Sequence, residues 1–267
     1  MPRTNKAQFF DEKFNFSVKT QGLLPFFHSC DAFYLTSILE QKKLAPAQCT
    51  VFKNEKLLYL FYGRPAYKSS IKEVAGLHSL LPVSFILNAN AINKIKRIAP
   101  FDTGAFKFGL FKDYIHPGMK LDTFFLKPDK KSISKTVSYF FDTNEQYYAS
   151  KPRKQVEFDA LHFEIESYYE LLKGIGQGKV DDRKASIEVQ LQSGITLNSK
   201  TVEAVILPEN FLSSKIIQQK VINELKAEVI TYEAYGVPSN HFYSEVLSLT
   251  KSFLTKKKYL YARKPKL

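Results

Sequence analysis

The chain has only two cysteines, Cys30 and Cys49, no tryptophan, and five histidines among its 267 residues. Two thiols are too few for a disulfide framework and are not spaced as a zinc site, so a reducing cytoplasm is the expected setting. His28, His78, His116, His162 and His241 include no pair at metal-ligand spacing, and no metal centre is expected. No apolar run approaches the ~20 residues that cross a bilayer, and "MPRTNKAQFFDEKF" has no signal-peptide apolar core. A soluble, intracellular protein without a membrane partner is expected. A serine-hydrolase elbow of the G-x-S-x-G kind is missing. The run "GIGQG" at 174–178 lacks the glycine spacing, the preceding strand and the Lys-Ser/Thr of a phosphate loop, and reads as a flexible connection.

Acidic residues are scarce too: 26 Asp and Glu stand against 39 Lys and Arg, a net charge of +13. That balance favours polyanions such as nucleic acid. The excess gathers in "KPDKK" at 127–131, "KPRK" at 151–154 and "KKKYLYARKPKL" from Lys256, which are either solvated faces or nucleic-acid contacts. What is abundant is apolar surface: 44% hydrophobic residues, with 23 Phe and 15 Tyr. Such a chain buries a core without staples, and the aromatics favour sheet. Without an internal repeat or an evident linker, a single domain over 1–267 is expected.

Along the chain, "LLPFFHSC" (23–30) reads as a buried strand and "DAFYLTSILEQKKL" (31–44) as a helix. Asp31 would cap it, with Leu35, Ile38 and Leu39 as its apolar stripe. "TVFKNEKLLYLFYG" suggests strands around a polar turn, and "LLPVSFILNA" (80–89) a core strand. A short helix is expected over "NANAINKIKRI", then the turn-rich "PFDTGAFKFG". Residues 114–153 read as loops with short elements, and 90–155 as an insertion or lid. "VEFDALHFEIESYYELL" (156–172) turns helical toward its end. "ASIEVQ", "TVEAVILP" and "EVITYEA" read as strands, and "NFLSSKIIQQKVINELKA" and "HFYSEVLSLTKSFLTKKK" as helices. Strands broken by helices without regular βαβ alternation predict an α+β fold.

Three side chains stand out: His28 after an apolar strand, Arg64 in "LYLFYGRPAY", and Glu188 in "SIEVQ". Taken singly, each has an ordinary explanation: a satisfied structural histidine, a surface-paired arginine, a glutamate facing water. Together they carry a resemblance. "FFHSCDAFYLTSILEQKKLAP" resembles the opening of ADP-ribosyltransferases of the DarT type, where a His-bearing strand leads into a helix. "YLFYGRPAY" is similar to that family's aromatic pair followed by Arg-x-Pro, and "ASIEVQ...TVEAVILPENFL" to its late catalytic-Glu strand and the strand that follows. The likeness covers about 80 residues in three patches. Cys30 stands where the family usually has Thr, and 90–155 has no counterpart there.

The resemblance implies a split-sheet transferase core, with an NAD-consuming activity as in toxins and phage-defence effectors, and a neutralising inhibitor protein as a partner. Cleavage of the nicotinamide–ribose bond builds positive charge on the ribose, as in glycoside cleavage, and a nearby carboxylate stabilises it. Glu188 takes that role, its carboxylate facing a cleft while Ile187 and Val189 anchor the strand. Arg64 offers its planar fork to the pyrophosphate, aimed by Gly63 and Pro65. His28, with Cys30 beside it, addresses the adenosine ribose, and Tyr62 and Tyr67 stack on nicotinamide or pack in the core. The basic, aromatic-rich surface suits a single-stranded DNA or RNA acceptor. Two other classes remain open: a non-enzymatic nucleic-acid-binding protein, and a catalytically silent relative of the fold that mediates protein contacts.

Overall fold

The computed structural model describes residues 8–14, 22–66, 77–174 and 182–261. In chain order its strands are β1 (Phe26–Asp31), β2 (Lys43–Leu44), β3 (Ala47–Gln48), β4 (Lys56–Tyr62), β5 (Pro82–Leu87), β6 (Ile95–Ala99), β7 (Glu188–Leu191), β8 (Ile195–Thr196), β9 (Val202–Pro208) and β10 (Glu228–Tyr232). The α-helices are α1 (Leu35–Gln41), α2 (Thr103–Lys107), α3 (Lys130–Phe141), α4 (Asn144–Tyr148), α5 (Phe163–Lys173) and α6 (Tyr243–Lys256), and Ile217–Leu225 is a π-helix. The protein is a mixed α+β chain with mostly antiparallel sheet. It divides into two compact units, one built from 1–23, 49–53 and 95–190, the other from 24–48, 54–94 and 191–267.

The second unit holds a sheet in the order β10-β9-β5-β1-β4, with β3 paired to β4. β1 lies antiparallel between β4 and β5, with His28 opposite Phe85 and Phe26 opposite Tyr62. β5 is buried along its whole length, which is why "PVSFIL" is nearly continuous in apolar residues rather than alternating. β9 and β10 pair in parallel, which needs a crossover, and the π-helix supplies it. β2 pairs with β8, where a side chain on Gly194 would meet the Leu44 carbonyl at 2.6 Å; only glycine fits there.

The first unit is organised by aromatics. Phe140 on α3 meets Tyr168 on α5 edge-on at 4.8 Å and stacks on Phe10 at 6.1 Å, while Phe101 packs against Phe124 at 5.3 Å. Edge-to-face pairs at these spacings add to simple burial.

Several local expectations are corrected. The helix expected over 88–98 is a 3-10 turn at Ala89–Ala91 followed by β6, because Lys94 at φ 54° breaks the helical path. Residues 114–153 hold a twelve-residue helix, α3, capped by Asp129 and with Ile133, Val137, Phe140 and Phe141 buried. Its β-branched and serine residues hide a helix that tertiary burial stabilises. The stretch 95–155 thus contributes to the core of the first unit. Asp31 sits at the N-cap of a 3-10 turn, Ala32–Tyr34, without a side-chain capping bond, and α1 starts only at Leu35. The expected stripe is real at Leu35 and Leu39, both buried, with Ile38 half-buried.

Candidate functional site

In the first unit, a set of polar side chains closes around Glu188. The Thr103 hydroxyl donates to Glu188 Oε1 at 2.8 Å and the Thr103 N–H donates to Oε2 at 3.0 Å. Gln190 Nε2 donates to Oε1 at 2.6 Å, and Arg97 Nε donates to Gln190 Oε1 at 2.7 Å. The placement has local causes. Asp102 caps α2 by accepting from Ala105 N at 2.7 Å, which sets Thr103 at the first helical position. Asp102 N in turn donates to the Arg183 carbonyl at 3.1 Å, tying the cap to the segment that enters β7. The Tyr168 hydroxyl holds the Pro100 carbonyl at 2.9 Å, and Ile187 N donates to the Tyr147 hydroxyl at 3.2 Å.

Glu188 is 2% exposed, so its carboxylate does not face an open cleft as its alternating neighbours suggested. All four residues of β7 are buried, and alternation carries no inside-outside signal in such a strand. Burial, and then the nearby Asp102 charge, push the carboxyl up to about 8, against the hydrogen bonds of Gln190 and Thr103. The proton is therefore retained at neutral pH. This is a desolvated, hydrogen-bonded carboxyl rather than a solvated surface charge.

The other expected site residues lie in the second unit. His28 is half-buried, and its Nδ1 lies 3.0 Å from the Tyr59 carbonyl oxygen. A carbonyl only accepts, so Nδ1 carries the hydrogen and Nε2 is left as an acceptor. Desolvation depresses the pKa of His28, opposed by that hydrogen bond. Cys30 follows two residues on, and burial, with the neighbouring Asp31 charge, pushes its thiol up to about 12. It is a thiol and a weak donor, not a thiolate nucleophile. The pairing of β1 with β4 brings Tyr62 onto the same strand pair, opposite Phe26. Tyr62 is buried with its ring edge-on to Phe26 at 5.5 Å, and its hydroxyl accepts from Leu24 N at 3.0 Å, so its surroundings are those of a core residue. Tyr67 and most of the glycine run lie outside the described residues.

Arg64 follows Gly63, which takes φ 68° and donates its N–H to the Pro25 carbonyl at 2.9 Å. Arg64 is not a surface arginine, and apolar burial continues through this turn. Residues 62–66 are all buried, Arg64 is 3% exposed, and the Tyr243 hydroxyl holds the Pro65 carbonyl at 2.8 Å.

Sequence reasoning missed Asp102, Thr103, Gln190 and Arg97. Only "PFDTGAF" carried a signal, an Asp-Thr pair opening a helix, and it read as turns. Among the described residues no group of His, Cys, Asp and Glu is arranged to hold a metal ion, and no helix is long and apolar enough to cross a membrane. A separate open cavity of about 330 Å³ beside β8 is lined by Asn93, Lys94, Thr196 and Asn198 and includes none of the expected site residues. No protein-family model matches the chain, and no curated protein is significantly similar to it.

Proposed function

We propose that the protein is an NAD-consuming ADP-ribosyltransferase in which Glu188 stabilises the positive charge that develops on the ribose as nicotinamide leaves. The observation that carries this reading is the Glu188 carboxyl itself: strand-borne, covered and gripped by three donors that favour the carboxylate the reaction needs, a form reached as pH rises through about 8. Desolvation beside a second charged group is an arrangement that functional carboxyls share. Glu188 is 2% exposed, so NAD binding has to uncover it. The acceptor is a nucleic acid, in keeping with the net charge of +13.

The test is incubation of wild type and Glu188→Gln with adenylate-labelled NAD and separate DNA, RNA and protein pools. Label in a nucleic-acid pool with nicotinamide release, both lost in the variant, is expected. Equal turnover removes Glu188 from the mechanism, and no turnover by the wild type removes the transferase.

A second reading, a basic nucleic-acid-binding protein without catalysis, is favoured by Phe108. Its ring is 74% exposed beside Lys107, at a turn made by Gly109 at φ 72°, with exposed Lys112 following. An exposed ring flanked by cations suits base stacking and phosphate contact. Salt-sensitive binding with no affinity for NAD supports this reading; NAD binding by calorimetry counts against it.

A further inference from the structure

Gln190 stands between a cation and the Glu188 carboxyl. Its Oε1 accepts from Arg97 Nε at 2.7 Å and its Nε2 donates to Glu188 Oε1 at 2.6 Å. A guanidinium has only donors, so the amide must turn its carbonyl to Arg97 and its NH2 to Glu188. Arg97 is held in its own right, its guanidinium carbon 3.8 Å from the centroid of the Phe52 ring. β6 and β7, which carry the two residues, are hydrogen-bonded neighbours.

We infer that Arg97 is a positioning residue for Glu188, acting through Gln190: by fixing the amide it keeps a donor, rather than an acceptor, on the carboxyl oxygen. The inference rests on the proposed function only in taking Glu188 as the group that matters. A donor on Oε1 favours the ionised carboxylate, whereas a flipped amide presents its carbonyl and favours the protonated acid. Asp102, at the cap of α2, opposes ionisation, and the two Thr103 donors favour it. On the segment leading to β7 the Lys184 ammonium donates to the Gly174 carbonyl. The Tyr147 and Tyr168 hydroxyls bond Ile187 N and the Pro100 carbonyl.

The experiment is a carbon-13 NMR titration of the Glu188 carboxyl, assigned by its loss in Glu188→Gln, in wild type, Arg97→Met, Gln190→Met and the double variant. Arg97→Met is expected to raise the Glu188 pKa by about one unit. Arg97→Lys, which still donates to the Gln190 carbonyl, is expected to recover much of the shift. On the Gln190→Met background, Arg97→Met is expected to add little. Additive shifts overturn the inference, because Arg97 then acts by charge across space; no shift in Arg97→Met overturns it as well. Should Arg97→Met fail to fold, Arg97→Leu, which also lacks a donor, takes its place in the same cycle with the same criteria. The titration needs no NAD, so nicotinamide release by the wild type tests the transferase separately. Coupled titrations without nicotinamide release leave the positioning role standing and remove the reaction.

Discussion

Thr103 holds the Glu188 carboxyl at both oxygens, with its hydroxyl on Oε1 at 2.8 Å and its N–H on Oε2 at 3.0 Å. The second bond belongs to the backbone and survives substitution; the first does not. Thr103→Val keeps the shape and removes one buried donor, and is expected to cost about 1–2 kcal/mol in urea unfolding. Thr103→Ser, which retains the hydroxyl, is expected to cost distinctly less. Equal losses in the two variants show that the methyl group, not the hydroxyl, matters there.

The Glu188 carboxyl makes stability depend on pH in a defined direction. Its ordinary value is 4.5 and its value in the folded chain is about 8, so the folded state binds the proton more tightly than the unfolded state does. Its contribution is fully present below pH 4.5 and is lost as pH rises through 8. Glu188→Gln removes this dependence. The variant is expected to gain stability relative to wild type at alkaline pH, in denaturant unfolding run across that range. A constant difference between the two proteins over the range contradicts the raised value.

If Glu188 acts as a carboxylate in the transferase reaction, its active form is the deprotonated one. Nicotinamide release is then expected to rise with pH and level off above an apparent pKa near 8. The measurement is kcat/KM against pH, and a flat profile across that pKa detaches the rate from Glu188.

His28 titrates in the opposite sense. Its folded pKa lies below the ordinary 6.5, so its contribution is present above pH 6.5 and is lost as pH falls toward the folded value. Nitrogen-15 shifts of the neutral ring, recorded above pH 6.5, are expected to show Nδ1 protonated and Nε2 bare, as the Tyr59 carbonyl requires. An Nε2–H tautomer removes His28 as an acceptor for a ribose hydroxyl.

Tyr62→Phe separates packing from ligand contact. The ring and its contact with Phe26 remain, but Leu24 N loses its acceptor inside the core. A loss of about 1–3 kcal/mol is expected from leaving that N–H unsatisfied. Unchanged stability together with weakened NAD binding instead marks Tyr62 as a ligand contact.

Much of the second unit was legible in the sequence, because its elements announce themselves locally. "LYLFYG" predicts β4, "TVEAVILP" predicts β9, and the amphipathic "HFYSEVLSLTKSFLTKKK" predicts α6. The first unit was harder to read. α3 is written in Ser, Thr, Ile and Val, which local propensity does not favour as helix, and an aromatic cluster drawn from distant segments stabilises it. β6 needed the left-handed Lys94 to end the path before it. At the site, the sequence singled out Glu188 but not its surroundings. Residues 97, 102, 103, 188 and 190 come from two stretches some 85 residues apart, and no local pattern links Thr103 to Glu188.

The sequence by itself determined the α+β class, the cationic balance and the order of its main strands, since charge and periodicity are properties of neighbours along the chain. Only the tertiary structure decided that Glu188 is covered and what grips it, and that Arg64 is buried. Burial and hydrogen bonding depend on which distant segments meet, and it is this desolvation that turns an ordinary glutamate into a group holding its proton at neutral pH.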